Sequence, residues 1–226
     1  MHDTVDDIRD RLSHVVWIGG GPCAGKSRVA RLIGGTRGFW VYDLDRHYDS
    51  EPEFRSGPAV RWWEEHTVQE RWVDVSEEEL LRRSTDIWGE RFPLAIGALV
   101  STASSKPIIA EGPGALPWLV APVLRDSRQA AFLIPDDSFR DKVVAERESA
   151  GLGVPYWRAH QPSRARSQHR ERDRRLNLWI EKSCKDLGLR CIRVTGATDL
   201  ETIAASVEEH LAPHLPASVP SAPPRR

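Results

Sequence analysis

Three features of the sequence predict an α/β fold built on a parallel sheet. Five short apolar, β-prone runs alternate with helix-compatible segments, a pattern satisfied by parallel strands joined through helical crossovers. The first run, 15–18, leads into Gly20-x-x-x-x-Gly25-Lys26-Ser27, and helix-compatible sequence follows at once. The second and third runs each end in acid, at Asp43-Leu44-Asp45 and at Glu111-Gly112. In open parallel sheets, ligands bind beyond the carboxyl ends of the strands.

Residues 3–13 read as a short frayed helix before the first strand. In the glycine turn the backbone can curl so that successive N–H groups face phosphate oxygens, with the positive end of the next helix behind them. Gly20, Gly21, Pro22, Cys23, Ala24, Gly25, Lys26 and Ser27 are therefore the expected triphosphate cradle. Lys26 is placed to reach the β- and γ-phosphates and Ser27 to ligate Mg²⁺. The helix beginning at Ser27 is expected to stop at Gly34-Gly35. Residues 39–42 form the second strand, and strand alternation would put Asp43 and Asp45 on one face, directed at the nucleotide.

Residues 46–57 read as a polar loop and 58–73 as a helical stretch carrying Trp62, Trp63 and Trp72. Ser76-Glu77-Glu78-Glu79 is a capping box, with Val75 and Leu80 as its hydrophobic staple. Helical spacing of apolar residues then continues from Leu80 to Val100, with Pro93 as a candidate kink. Together 46–104 form a helical insert, an acceptor-side cap. Residues 107–110 are the third strand, and Glu111 is the expected second metal-side carboxylate. Residues 129–134 are the fourth strand, followed by a helix to Ala150 and a loop over 151–163.

Between Arg158 and Arg175 there are seven arginines against only Glu171 and Asp173. The planar guanidinium suits phosphate oxygens, so 151–175 reads as an arginine lid, with Arg172 and next Arg166 and Arg175 shielding the transferred charge. A helix runs on to Gly188, and 189–194 is the fifth strand. The turn Thr195, Gly196 and Ala197 is expected to lie against the adenine, and a last helix spans 199–210. The segment 212–226 holds five prolines with Ala and Ser and is expected to be disordered.

The 226 residues suffice for one domain, here 1–211. Hydrophobic residues at 40% and charged ones at 29% fit a soluble globular chain, and a net charge of −1 gives no global case for nucleic acid or membrane. No apolar segment approaches the roughly 18 residues that span a bilayer. Three cysteines at unrelated positions argue against a disulfide framework and for a reducing, cytoplasmic setting.

With the phosphate loop, the acid-tipped strands and the arginine cluster in hand, the chain resembles the nucleotide-and-shikimate-kinase branch of P-loop phosphotransferases over most of 14–210. Asp43-Leu44-Asp45 is similar to the motif of shikimate kinases and to the Asp of the chloramphenicol phosphotransferase and zeta-toxin groups. The resemblance implies a three-layer P-loop NTPase fold with a five-stranded parallel sheet in the order 2-3-1-4-5. It also implies that Asp45 is the base or acceptor anchor, and that Asp43 sits nearer the metal. Glu171-Arg172-Asp173-Arg174 is similar to the phosphate-contacting arginine region of nucleoside monophosphate kinases. Glu111-Gly112-Pro113-Gly114 departs from the Asp-Gly-x-Pro-Arg of adenylate kinases, which argues against a nucleoside monophosphate acceptor.

The expected activity is transfer of the γ-phosphoryl group of ATP, with Mg²⁺, to a hydroxyl of a small-molecule acceptor. Alternatives are a nucleoside or nucleotide kinase, a regulatory P-loop ATPase that binds a protein partner, and nucleic-acid end phosphorylation. A GTPase is disfavoured, because the single asparagine, Asn177, is followed by Leu-Trp and no Asn-Lys-x-Asp guanine reader exists.

Overall fold

The structure, a computed structural model, describes residues 4–102 and 106–216. Its elements are α1 (Val5–Arg11), β1 (Val15–Gly20), α2 (Lys26–Arg37), β2 (Trp40–Asp43), α3 (Leu44–Ser50), α4 (Pro58–Glu65), α5 (Val68–Trp72), α6 (Glu77–Ser101), β3 (Ile108–Glu111), α7 (Pro117–Val120), β4 (Ala130–Pro135), α8 (Asp137–Ser149), α9 (Pro162–Asp186), β5 (Arg190–Val194) and α10 (Leu200–Leu211). The five strands form one parallel sheet in the order β2-β3-β1-β4-β5, as expected.

Strand alternation explains the three layers. Val15 and Trp17 of β1, Ile108 and Ala110 of β3, and Phe132 of β4 face one side, where Leu99 of α6 and Leu176 and Ile180 of α9 cover them. Val16, Ile18, Ile109 and Leu133 face the other, under Val29 and Ile33 of α2 and Val207 of α10. All six residues of β1 are buried, the signature of a central strand covered on both faces. Ser76 caps α6 by accepting from the Glu79 amide at 3.1 Å. The Glu79 carboxylate turns instead to Arg82, with bonds of 2.7 and 2.8 Å, so only half of the expected capping box forms. α6 runs through Pro93.

Several boundaries differ from the sequence expectation. α2 does not stop at Gly34-Gly35 but continues to Arg37 and ends at Gly38 in the left-handed conformation. Gly34 is small for packing: a Cβ there would lie 2.8 Å from Val41 Cγ2 and 3.3 Å from the Phe39 carbonyl. The polar segment 46–57 is mostly helical, with α3 followed by a 3-10 turn over Pro52–Arg55. The stretch 58–73 is two helices, because Thr67 begins α5 with a capping box of its own to Glu70. The lid segment 151–175 is a loop that gives way at Pro162 to the first half of the straight-through helix α9. In the tail, Ala212–His214 form a 3-10 turn, and His214 pairs with Asp126 at 3.0 Å, so disorder does not begin at 212. Residues 217–226 lie outside the described residues.

Gln129, fully buried, fastens the entry to β1. Its amide nitrogen donates to the carbonyls of Leu12 and Val15 at 2.9 and 2.8 Å, and its oxygen accepts from the Arg125 amide at 2.8 Å. Gln129→Leu would take this partner from the Val15 carbonyl and the Arg125 amide, while the Leu12 carbonyl would keep only the Val15 amide at 2.9 Å; each buried orphan costs about 1–3 kcal/mol. We expect it to lower unfolding stability by about 2–4 kcal/mol, read from denaturant midpoints. A loss within about 0.5 kcal/mol, as at ordinary surface sites, would contradict this anchoring.

Candidate active site

The register of the sheet assembles the site. Ile18 of β1 pairs with Glu111 of β3, and Glu111 pairs in turn with Asp43 of β2. The acid tips of β2 and β3 thus arrive level with the turn that leaves β1. That turn enters α2, whose first amides have no intrahelical acceptors. Cys23 holds φ +62, a left-handed conformation that a non-glycine residue adopts only where its surroundings impose it. Gly21 is needed for closeness: a Cβ would lie 1.9 Å from Asn177 Oδ1. The buried α9 therefore braces the loop from behind.

The loop, α2, α8, the first turn of α3 and the tip of β3 border a cavity of about 650 Å³, lined among others by Cys23, Lys26, Ser27, Asp45, Glu111 and Arg172. Lys26, itself buried, donates from Nζ to the Gly21 carbonyl at 2.7 Å. The Ser27 hydroxyl donates to Glu111 Oε2 at 3.0 Å. Glu111 is 1% exposed, and its Oε1 is buried with no hydrogen-bond partner among the described residues. Burial, partly offset by Ser27 and Lys26, pushes its pKa up to about 7. Asp45 is open to water within the cleft, yet enough protein surrounds it to raise its pKa to about 6; Lys26 pulls the other way and Asp43 adds to the rise. Lys26 is shifted down, chiefly by burial, with Glu111 and Asp45 opposing.

An orphaned carboxylate oxygen beside a serine hydroxyl suits a hard divalent cation. Mg²⁺ is typically held by one or two protein oxygens plus substrate phosphates and water. Among the described residues no group of three or more His, Cys, Asp or Glu could hold a metal by itself.

The two aspartates part company. β2 ends at Asp43 and α3 starts at Leu44, so alternation no longer holds between 43 and 45. Asp43 caps α3, accepting from the Arg46 amide at 3.1 Å, and its other oxygen lies 3.4 Å from the Arg31 guanidinium. Asp45, in the first turn of α3, lines the cavity, and Asp43 is not among the lining residues. The arginines part likewise. Arg172 reaches the cavity, held by Asp173 at 3.0 Å and by the Ser84 hydroxyl at 3.2 Å. Arg166 pairs with Glu148, and Arg175 pairs with Glu171 and Glu77; neither lines the cavity. Thr195, Gly196 and Ala197 are exposed beyond its wall. Of the three, Gly196 lies beside Phe139, a lining residue of the cavity, 2.9 Å from where a Gly196 Cβ would sit.

Phe139, Val143 and Arg147 of α8 also line the cavity. Their i, i+4, i+8 spacing was a readable signal for one helix face. Arg147 bears electrostatically on Asp45, Lys26 and Cys23. Asn177 behind Gly21 left no local pattern.

No protein-family model and no curated protein matches the chain. Among solved structures it is similar to a shikimate kinase from Acinetobacter baumannii in complex with shikimate, at 13% identity over 91% of this chain and 98% of that one, with a TM-score of 0.47. It is also similar to an uncharacterized protein from Eubacterium ventriosum (14% identity, 88% and 98% covered, TM-score 0.45) and to a gluconokinase from Sinorhizobium meliloti (15%, 88% and 91%, 0.42). The chain has the P-loop NTPase fold, a conclusion that rests on its own strand order and phosphate loop. No helix among the described residues is long and apolar enough to cross a membrane.

A carboxylate whose pKa rises on folding is stabilising while protonated. That contribution is present below its unfolded pKa near 4.5 and is lost as pH climbs through about 7. Glu111→Gln removes the titration. In the nucleotide-free protein we expect it to match the parent near pH 4.5 and to exceed it by on the order of 2 kcal/mol at pH 8, measured by denaturant unfolding at both pH values. A gap that does not widen with pH would contradict the strained burial of Glu111.

Proposed function

We propose that the protein is an ATP-dependent kinase that transfers the γ-phosphoryl group to a hydroxyl of a small-molecule acceptor. The observation that carries this reading is the shared cavity. Lys26, the Ser27–Glu111 contact and Asp45 meet on one wall, which joins phosphate-holding groups to a base of raised pKa. A bare nucleotide-binding module has no need of Asp45 there.

Phosphoryl transfer asks mainly for positioning and charge neutralisation. The amides of residues 23–27 and Lys26 hold the β- and γ-phosphates, with Lys26 exchanging its bond to the Gly21 carbonyl for phosphate oxygen; Pro22 has no N–H, and the Gly21 amide is bonded to the Leu133 carbonyl. Ser27 and Glu111 would hold Mg²⁺, which when bound supplies charge neutralisation between the phosphates. Asp45 accepts the proton of the acceptor hydroxyl as the new O–P bond forms and ADP leaves. Arg172 and Arg147 approach the transferred charge from α9 and α8, and Phe139 with the turn 195–197 offers a surface for the adenine. Asp43 acts at one remove: by capping α3 it fixes where Asp45 points. The helical insert between β2 and β3, residues 44–101, supplies the acceptor side.

Lys26→Ala is expected to weaken ADP–Mg²⁺ binding at least about tenfold, the loss of a charge-assisted contact, and to abolish transfer. Calorimetry reads the first, and ATP consumption over a panel of hydroxyl compounds the second. Unchanged ADP–Mg²⁺ affinity would refute the nucleotide site. Asp45→Asn should keep ADP–Mg²⁺ affinity within about twofold while lowering turnover by roughly 10²–10⁴, the usual worth of a general base. In the parent, turnover should rise with pH through about 6 as Asp45 ionises. A rate unchanged in Asp45→Asn, or a profile flat between pH 5 and 7, would remove Asp45 from the proton transfer.

A further inference from the structure

A second cavity, of about 300 Å³, adjoins the first, and two side chains, Trp88 and Arg172, line both. α3 spans the pair as well. Asp45 lines the phosphate cavity and Asp49, one helical turn on, lines the second. A molecule seated in the second cavity therefore has its nearest route to the transferable phosphoryl group past Trp88, toward Asp45.

The walls of this chamber state what it recognises. Trp63 and Trp72, with ring centroids 5.2 Å apart and edge to face, form one side with Trp88. His169 lies 4.5 Å from the Trp72 ring; burial holds its pKa down to about 3, so the imidazole is neutral. The two cations on the wall are already engaged. Arg91 donates to the Phe54 carbonyl at 3.0 Å and lies over the Tyr48 ring. Arg172 is paired with Asp173 and its guanidinium lies 5.4 Å from the Trp72 centroid. Two carboxylates, Asp49 and Glu64, complete the lining, with Glu64 bonded to Arg55 at 2.8 Å. An anionic acceptor would meet two carboxylates, and the wall offers it no surplus of positive charge, because Asp49 and Glu64 bear on Arg91 and Asp173 on Arg172. A flat ring finds indole surface, and an attached ammonium finds both carboxylate and ring faces.

We propose that this chamber is the acceptor site, and that the acceptor is an aromatic-ringed alcohol bearing no negative charge, held among Trp63, Trp72 and Trp88 with its hydroxyl directed at Asp45. A nucleoside belongs to this class, whereas a nucleoside monophosphate or a hydroxy acid does not. The inference rests on the phosphotransfer reading above.

The test uses three compounds on one skeleton: a naphthyl-substituted ethanediol, the corresponding amino alcohol and the corresponding hydroxy acid. Each is titrated calorimetrically into the full-length protein saturated with ADP–Mg²⁺. The diol and amino alcohol should bind at least about tenfold more tightly than the hydroxy acid. Trp63→Leu, at a half-buried position, should weaken diol binding at least about fivefold while ADP–Mg²⁺ affinity is kept. If its melting point shows that Trp63→Leu does not fold, Trp63→Phe takes its place, with the diol weakened less and the order of the three ligands retained. Equal binding of the hydroxy acid, undiminished diol binding in a folded Trp63 variant, or no binding of any of the three to protein that binds ADP–Mg²⁺ would each overturn the aromatic-acceptor proposal. Failure to bind ADP–Mg²⁺ at all would overturn the phosphotransfer reading beneath it.

Discussion

The contact between the Ser27 hydroxyl and Glu111, 3.0 Å from the first turn of α2 to the tip of β3, is the constraint on which the rest of the molecule depends. A carboxylate 1% exposed with one oxygen unpartnered is expensive to keep. It stays there because the sheet leaves it no choice. β3 is fixed between β1 and β2 with Ile108, Ile109 and Ala110 wholly buried, and the next residue pairs with Ile18, two residues before β1 gives way to the phosphate turn. Core packing is thus converted into local strain where a cation and phosphates would relieve it, a common trade between stability and activity.

The long helix α9 does three jobs through one buried stripe, Asp173, Leu176, Asn177 and Ile180 at i, i+3, i+4 and i+7. Leu176 and Ile180 belong to the main core, and Asn177 abuts Gly21 so closely that only glycine fits. Asp173 gathers Arg140 at 2.6 Å and Arg172 at 3.0 Å in a buried cluster. Arg172 is thereby held toward both cavities rather than left to sweep in from solvent. Its neighbours Arg166, Arg170, Arg174 and Arg175 are fastened to Glu148, Asp141, Glu171 and Glu77. These exposed pairs each contribute little to stability, but together they occupy the guanidinium groups. Arginine density here is mostly surface pairing, and one member is turned inward.

The strand pattern was legible because it is written in adjacent residues: an apolar run, then glycines or acids. The same locality explains the phosphate loop and the acid tip at Glu111. Sequence pattern and structure part where the deciding contacts are distant along the chain. Three further acids that neutralise the arginine cluster, Asp141 and Glu148 of α8 and Glu77 of α6, are distant along the chain, so Glu171 and Asp173 alone understate the pairing. The Asp43–Asp45 pair was read with a strand period, whereas the chain turns helical at Leu44, which sends one carboxylate to a cap and the other to the cavity. Gly34-Gly35 carries a stop signal that packing against Val41 overrides. Asn177 and Gln129 act through single long-range contacts that leave no trace in spacing.

A thermodynamic double-mutant cycle on ADP–Mg²⁺ affinity, using Ser27→Ala, Glu111→Gln and the double variant, tests the central claim most directly. If the two side chains grip one cation between them, their effects will be strongly non-additive, with a coupling of about 1–3 kcal/mol. Additive losses within about 0.3–0.5 kcal/mol, the behaviour of independent sites, would show that Ser27 and Glu111 do not share a cation and would contradict the account.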